Sequence, residues 1–432
     1  MNAPLLIKNA HIIDPASDFD ELGNLLVENG KITSRSKGTE TGAPEGAQIF
    51  DARGMLLAPG LVDLRVFTGE PGHEYRETLN SAAKAAAAGG VTSFVCMPDT
   101  LPAIDDGAVV DFILSRAKSN ACVNILPAAA ISKGLLGDEI TEFGLLKEAG
   151  AVCFTEGRKS IQSAALLRTA FTYAKNFEMP IMHHLCDDGL KGKGVMNKGL
   201  FATTLGLGSI SPEAETIPLS RDLILAKATG VNYHAAQISC SGSVQILADN
   251  KHNNPNISAG VSINNLTLNE LDVGQYRTFF KLDPPLRSED DRQALIAGLN
   301  SEIIDTIHSG HDPQDVEVKR RPFAEAAYGA IGLETLFGAA MRLVHSGDVE
   351  LKTILKAMTY RPAQILGLPA GTLKPGSSAD FFIADIEYPW VNTEENIISR
   401  SKNTAFEGAR FSGKIIATYV AGNKVFEHQE NG

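Results

Sequence analysis

"APGLVDLRVFTGEPG", residues 58–72, decides the reading of the fold. The apolar run at 61–67 follows a Pro-Gly pair and ends in a loop rich in Gly and Pro. A run this short, bounded by turn residues, suits a buried strand better than a helix. Seven further runs of the same kind follow, at residues 91–97, 123–129, 151–155, 180–184, 231–239, 256–263 and 303–309. Ala-rich segments with helical character lie between them, such as "ETLNSAAKAAAAGG" (77–90) and "QSAALLRTAFTYAKNF" (162–177). Eight strand and helix units in succession predict an α/β fold, a closed parallel (β/α)8 barrel over residues 58–365.

The two ends of the chain have a different texture. "LLIKNAHIID", "GNLLVENGKITSR" and "AQIFDARGMLLAPG" are β-type runs broken by Asn-Gly and Pro-Gly signals, and "GTLKPGSSADFFIADI" and "GKIIATYVAGNKVFEH" repeat that pattern near the other end. Residues 1–57 and 366–432 are therefore expected to form one composite small β-sandwich domain.

The 432 residues are 44% hydrophobic, ample for a large core, and carry a net charge of −12. That balance argues against nucleic acid or an anionic membrane surface as a partner, since both need a basic face. The five cysteines, Cys96, Cys122, Cys153, Cys186 and Cys240, show no CxxC spacing and read as free thiols of a reducing compartment. The opening "MNAPLLIKNAHIID" has no basic region followed by a long apolar run, and no window approaches 18 uncharged apolar residues. A cytoplasmic location is expected, with no signal peptide and no membrane span.

A parallel barrel carries its functional groups at the C-terminal ends of its strands. The residues just beyond the runs are Arg65 and Phe67, Asp99, Glu156, His184, Gln237, Asn264, Gly310 and His311. A hydrolytic metal centre needs several His and carboxylate ligands converging there, with one position open for water. One His on the fifth strand, one after the eighth and two carboxylates make a thin set.

With these residues in view, the chain resembles the dihydroorotases of the single-barrel type within the cyclic amidohydrolases. "LLIKNAHIIDP", "APGLVDL", "EPGHEYRETLNSAAKAAAAGGVTSFVCMPDTLPAID", "KGVMNKG", "DPPLRSEDDRQALIAGL", "GLETLF" and "AGTLKPGSSADFFIAD" carry the resemblance in order along nearly the whole chain. It implies a His-x-His metal pair at the positions of Arg65 and Phe67, and a bridging ligand near Glu156. It implies metal-binding histidines at His184 and at the position of Gln237, and a catalytic aspartate at the position of Gly310. For the substrate it implies an arginine at the position of Gly69, asparagines at those of Asp99 and Asp283, and His311. Of the metal and catalytic positions, only His184 keeps the family's residue.

Three expectations follow. The first is a catalytically degenerate homologue with no catalytic residue and no metal. It would support the assembly of aspartate carbamoyltransferase as a homo- or hetero-oligomer and keep a vestigial pocket of Arg65, Phe67, Gly69, Asp99, Glu156, His184, Gln237, Asp283, Gly310 and His311. The second is an active cyclic amidohydrolase with a rebuilt single-metal site, zinc held by His184 and Glu156 with His311 beside it. The third is a metabolite-binding module. Arg65 is expected to fill the metal position and pair with Glu156 or Asp99, because buried charges need partners. Asp99 and Asp283 are expected to repel an anionic substrate, at about 1–4 kcal/mol per like-charge contact near ~4 Å. His183 or Cys186 could supplement a rebuilt centre, though adjacent strand residues face opposite sides. His234, Cys153 and Cys186 read as core residues. Ser239, Ser241 and Ser243 in "SCSGS" lack a Gly-x-Ser-x-Gly elbow, which argues against a serine hydrolase.

Overall fold

The computed structural model describes residues 3–38, 42–252 and 254–429. Residues 1–2, 39–41 and 430–432 of the expected outer domain, and residue 253 of the barrel, lie outside the described residues.

Five strands open the chain: β1 (Leu5–Asp14), β2 (Phe19–Glu28), β3 (Lys31–Lys37), β4 (Gln48–Asp51) and β5 (Leu56–Pro59). The barrel strands are β6 (Leu61–Val66), β7 (Val91–Cys96), β8 (Asn124–Ala130), β9 (Cys153–Thr155) and β10 (Ile181–His184). A two-stranded ladder, β11 (Met196–Asn197) and β12 (Ser209–Ile210), interrupts the series in the loop after β10. The barrel resumes with β13 (Tyr233–Gln237), β14 (Ile257–Ser262) and β15 (Thr306–His308). Three strands close the chain: β16 (Phe381–Val391), β17 (Arg410–Val420) and β18 (Asn423–Glu427).

The eight barrel strands pair in parallel in chain order. Each falls within one of the predicted runs or one residue beyond it, because fully buried parallel strands read as near-continuous apolar stretches. The seam between β15 and β6 is stitched outside the regular ladder. The Phe67 amide donates to the His311 carbonyl at 2.9 Å. The Ser309 amide donates to Asp63 Oδ2 at 3.0 Å, and the Arg65 amide to Asp63 Oδ1 at 2.9 Å. Asp63 is fully buried, and burial raises its carboxyl pKa above the ordinary value.

The phase of β6 matters for the site. Val62 and Leu64 belong to the apolar cluster that fills the barrel with Val95, Met97, Ala128 and Met182. A register irregularity against β7 lies between Asp63 and Val66. Such a bulge shifts which residues face inward. Arg65, inside that stretch, and Phe67, just after it, both line the cavity at the barrel mouth.

The outer strands form one branched sheet in the order β18-β17-β16-β5-β1-β2-β3, with β4 joined to β1. Where two packed layers were expected, the layers are parts of one hydrogen-bonded sheet. β1 pairs with β4 through Leu5–Lys8 and with β5 through His11 and Ile12. The sheet has its own core, including Ile7, Ile12, Leu57, Phe381 and Tyr419. Among the described residues, no helix is long and apolar enough to cross a membrane.

Candidate active site

A cavity of about 300 Å³ opens at the C-terminal end of the barrel, at the small end of the range for ligand pockets, about 300–1,000 Å³. Its lining includes Arg65, Phe67, Asp99, Gln237, Asp283, Gly310 and His311 from the predicted set, and Asn264 from the strand-end reading. It also includes Arg158, Asp312, Ser262 and Tyr328, to which sequence reasoning gave no role. Glu156, His184 and Gly69 are not part of this wall.

Two of the departures from the family pattern have a backbone cause. Gly69 adopts φ +72°, and a Cβ there would stand 2.6 Å from the carbonyl oxygens of His73 and Glu77. Gly310 adopts φ +61°, a conformation that side chains with a Cβ rarely take. A side chain at Gly69 requires its loop to move, whereas at Gly310 a Cβ meets nothing nearer than Ser262 Oγ at 3.1 Å and the cost is the positive φ.

Charge in the pocket is arranged differently from the sequence expectation. Arg65 pairs with neither Glu156 nor Asp99. Glu156 is buried and bound by the hydroxyl and the amide of Ser132, the amide at 3.1 Å. Asp99 accepts from Arg158 Nε at 2.6 Å. Burial works against ionisation of Asp99, yet Arg158 outweighs it and holds the carboxyl below its ordinary pKa. Asp283 meets Lys191 Nζ at 2.5 Å, and the neighbouring positive charges of Lys191 and Arg65 hold its carboxyl below the ordinary value against the cost of burial. Asp312 binds Arg76 at 2.7 Å and Arg158 at 3.2 Å. The expected repulsion of an anion is therefore corrected: each carboxylate in the wall already has its own cation. Those cations come from loops distant in sequence, which the local pattern around Asp99 and Asp283 does not reveal.

Arg65 itself forms no ion pair among the described residues. The residue is buried, 7% exposed, and its Nη1 has no hydrogen-bond partner. Guanidinium stays charged at any working pH. Asn264 Oδ1 in the same wall and Asp99 Oδ1 also lack partners. His184 and His308 are buried with both ring nitrogens unpartnered. Burial, then the Arg65 charge, pushes His184 down to about 3 and His308 well below its ordinary value. His311 accepts from the Gly332 amide on Nδ1 at 3.3 Å and turns Nε2 toward Glu77 at 3.5 Å. Gln237 donates to Asn265 at 3.1 Å.

The donor set does not fit zinc. Among the described residues, no three His, Cys, Asp or Glu side chains are grouped to hold a metal ion. Glu156 is committed to Ser132, and a guanidinium whose field reaches His184 and His308 repels a divalent cation. His183 faces away from the barrel interior. Its Nδ1 meets Asp222 at 2.6 Å, and its Nε2 accepts from the Ile161 amide at 2.9 Å. Burial pushes the thiols of Cys153 and Cys186 up to about 12, far from thiolate character. The serines of "SCSGS" have no histidine base. Ser239 and Ser243 bond Glu215, Ser241 bonds Asp291, and His234 meets Ser258 at 2.8 Å.

Comparison places this architecture. The L-hydantoinase (dihydropyrimidinase) of Arthrobacter aurescens superposes with a TM-score of 0.90 at 24% identity, covering 100% of this chain and 97% of that one. The dihydropyrimidinase of Brevibacillus agri superposes with a TM-score of 0.84 at 20% identity, covering 98% and 95%. The fold is thus the amidohydrolase (β/α)8 barrel with a β domain built from both chain ends. At the level of sequence, the "Dihydro-orotase-like" family matches residues 54–243. Proteins named dihydroorotase from Syntrophus aciditrophicus and Pelobacter propionicus are each 39% identical, over 98% of this chain and 99% of theirs. The chain belongs to the dihydroorotase-like family. Full-length relatives at this identity bear the enzyme's name, which overturns the expectation of a catalytically degenerate homologue. That expectation weighed side-chain identities at six family positions. It did not see the neutralised carboxylates or the free cation of the pocket.

Proposed function

We propose that this protein is a cyclic amide hydrolase of the dihydroorotase type, acting at the barrel mouth on dihydroorotate and, in reverse, on carbamoyl aspartate. The observation that carries the reading is 39% identity to dihydroorotases along 98% of the chain. The pocket's chemistry supports it. Three carboxylates are paired, and Arg65 offers an unshared N–H donor to the cavity. A fixed cation aimed at a carbonyl oxygen stabilises the negative charge that builds there when water adds. Arg158 and Arg76 fix the carboxylates around it, and Phe67 closes the wall. His184 is a buried neutral imidazole that feels the charges of Arg65 and Asp283.

The test is turnover of dihydroorotate, followed in both directions, by chelator-treated protein and by protein supplied with zinc, manganese or cobalt. Turnover that disappears in His184→Ala is expected. Failure in every one of these conditions overturns the reading. Assembly with aspartate carbamoyltransferase belongs to the same proposal, rests on the resemblance alone, and is tested by co-elution on mixing.

A further inference from the structure

We infer that Arg65 and Asn264 form a metal-independent binding site on the pocket wall, Arg65 taking a carbonyl or carboxylate oxygen of the ligand and Asn264 its ring N–H. The inference rests on the barrel-mouth reading above and deepens it, because it assigns the ligand's polar edge to two residues outside the family's set.

Four observations carry it. Arg65 stands where the resemblance implies the first metal ligand, and the residues around it do not fit a metal. Its guanidinium is buried, lines the cavity and leaves Nη1 without a partner. The carboxylates nearest in field, Asp99, Asp283 and Asp312, are each taken by another cation at 2.5–2.7 Å. Asn264, 2% exposed, lines the same cavity with Oδ1 unpartnered. A buried charge without a counter-ion is costly, and folds retain one where it serves a site. The complementary ligand is planar, presents an oxygen acceptor to Arg65 and an N–H donor to Asn264, and fits about 300 Å³. A cyclic amide or ureide carries both groups on one edge. The bulge in β6 that turns Arg65 inward makes this geometry a property of the strand and not of a mobile loop.

The experiment is calorimetric titration of chelator-treated protein with dihydroorotate and with carbamoyl aspartate, alongside melting curves. Wild type is expected to bind one of the two without metal. Arg65→Met is expected to weaken binding at least tenfold, and Asn264→Leu severalfold. Arg65→Lys, which keeps the charge without the fork, is expected to fall between wild type and Arg65→Met. The melting temperature separates a binding role from a structural one: Arg65 makes no ion pair and its Nη1 no hydrogen bond, so Arg65→Met is expected to melt close to wild type. Absence of binding by the metal-free wild type overturns the inference, as do undiminished binding by Arg65→Met or a lower melting temperature for that variant. Metal-free, Arg65-dependent binding without turnover upholds it while removing the hydrolase reading. Turnover that needs zinc and ignores Arg65 does the reverse.

Discussion

Phe67 stands where the resemblance implies a histidine, and its ring is used by two guanidinium groups. The Arg76 guanidinium lies 4.0 Å from its centroid and that of Arg158 5.2 Å. Arg76 also donates to the Pro313 carbonyl at 2.8 Å and to Asp312 at 2.7 Å. It thereby adds to the Phe67–His311 bond in tying the loop after β6 to the loop after β15. Arg76→Ala strips Asp312 of its buried partner, and Arg158 is too exposed to replace it fully. A loss of about 3 kcal/mol is expected in denaturant unfolding, and a loss below about 1 kcal/mol would show that Arg158 suffices. Histidines set a second expectation. His184 and His234 are pushed down to about 3 and His308 well below its ordinary value, first of all by burial. Below pH ~6.5 the unfolded chain binds these protons and the native chain does not. Stability therefore falls as pH drops from about 6.5 toward 3, by about 1.4 kcal/mol per pH unit for each such histidine. His234→Asn is expected to reduce the stability difference between pH 7.5 and 4.5 by up to about 2–3 kcal/mol relative to wild type. Buried carboxyls with raised pKa, such as Asp63, contribute to both proteins alike and drop out of the comparison. An unchanged difference would show that His234 titrates normally. At this scale the sequence was legible where flanking motifs fixed register: "APGLVDL" and "EPG" placed Arg65 and Phe67 without a structure. It was not legible for the Arg76–Asp312 and Arg158–Asp312 pairs. Partners more than 150 positions apart leave no local pattern.

Strands of the barrel show where periodicity informs and where it fails. All eight were readable as apolar runs, since both faces of each are covered. The phase shift inside β6, which decides that Arg65 enters the pocket, has no signature in a run apolar on both faces. The β11–β12 ladder is too short to produce any signal. β14 illustrates the tolerance of such an element. Gly260 sits where a Cβ would approach Thr306 Oγ1 to 2.8 Å, and the Ala236 carbonyl oxygen and His234 Nε2 to 2.9 Å each. The Ala236 contact is backbone and cannot rotate away. Gly260→Ala is expected to cost about 1–3 kcal/mol through overpacking between β13, β14 and β15. Urea unfolding measures it, and an unchanged midpoint would mean that the strands separate more freely than their packing indicates.

The whole molecule depends on joining its two ends, and Asp14 is the knot. This carboxylate at the end of β1 is fully buried. It accepts from Arg35 of β3 at 2.6 Å and from Ser17 at 2.6 Å. It also accepts from the Thr372 hydroxyl at 3.1 Å and the Leu373 amide at 3.0 Å, at a separation of nearly the full chain. The β texture at both termini predicted the partnership, but no motif pointed to Asp14, because its partners are gathered only by the fold. Its removal affects both segments at once. Asp14→Ala leaves the Arg35 guanidinium, whose side chain is 10% exposed, without its anion and the Leu373 amide without its acceptor. Breaking a buried pair by deleting one partner costs about 3–5 kcal/mol. The β16–β5 ladder still joins the two chain ends within the sheet, so unfolding is expected to remain a single transition at a lower midpoint. Chemical unfolding followed by fluorescence of Trp390, which lies in β16 beside β17, reports on the composite sheet. Far-ultraviolet circular dichroism reports on the barrel helices. Coincident transitions shifted by that amount would establish the composite domain and the barrel as one cooperative unit. A Trp390 transition that precedes the helical one would show instead that the joined ends unfold on their own and that the barrel stands without them.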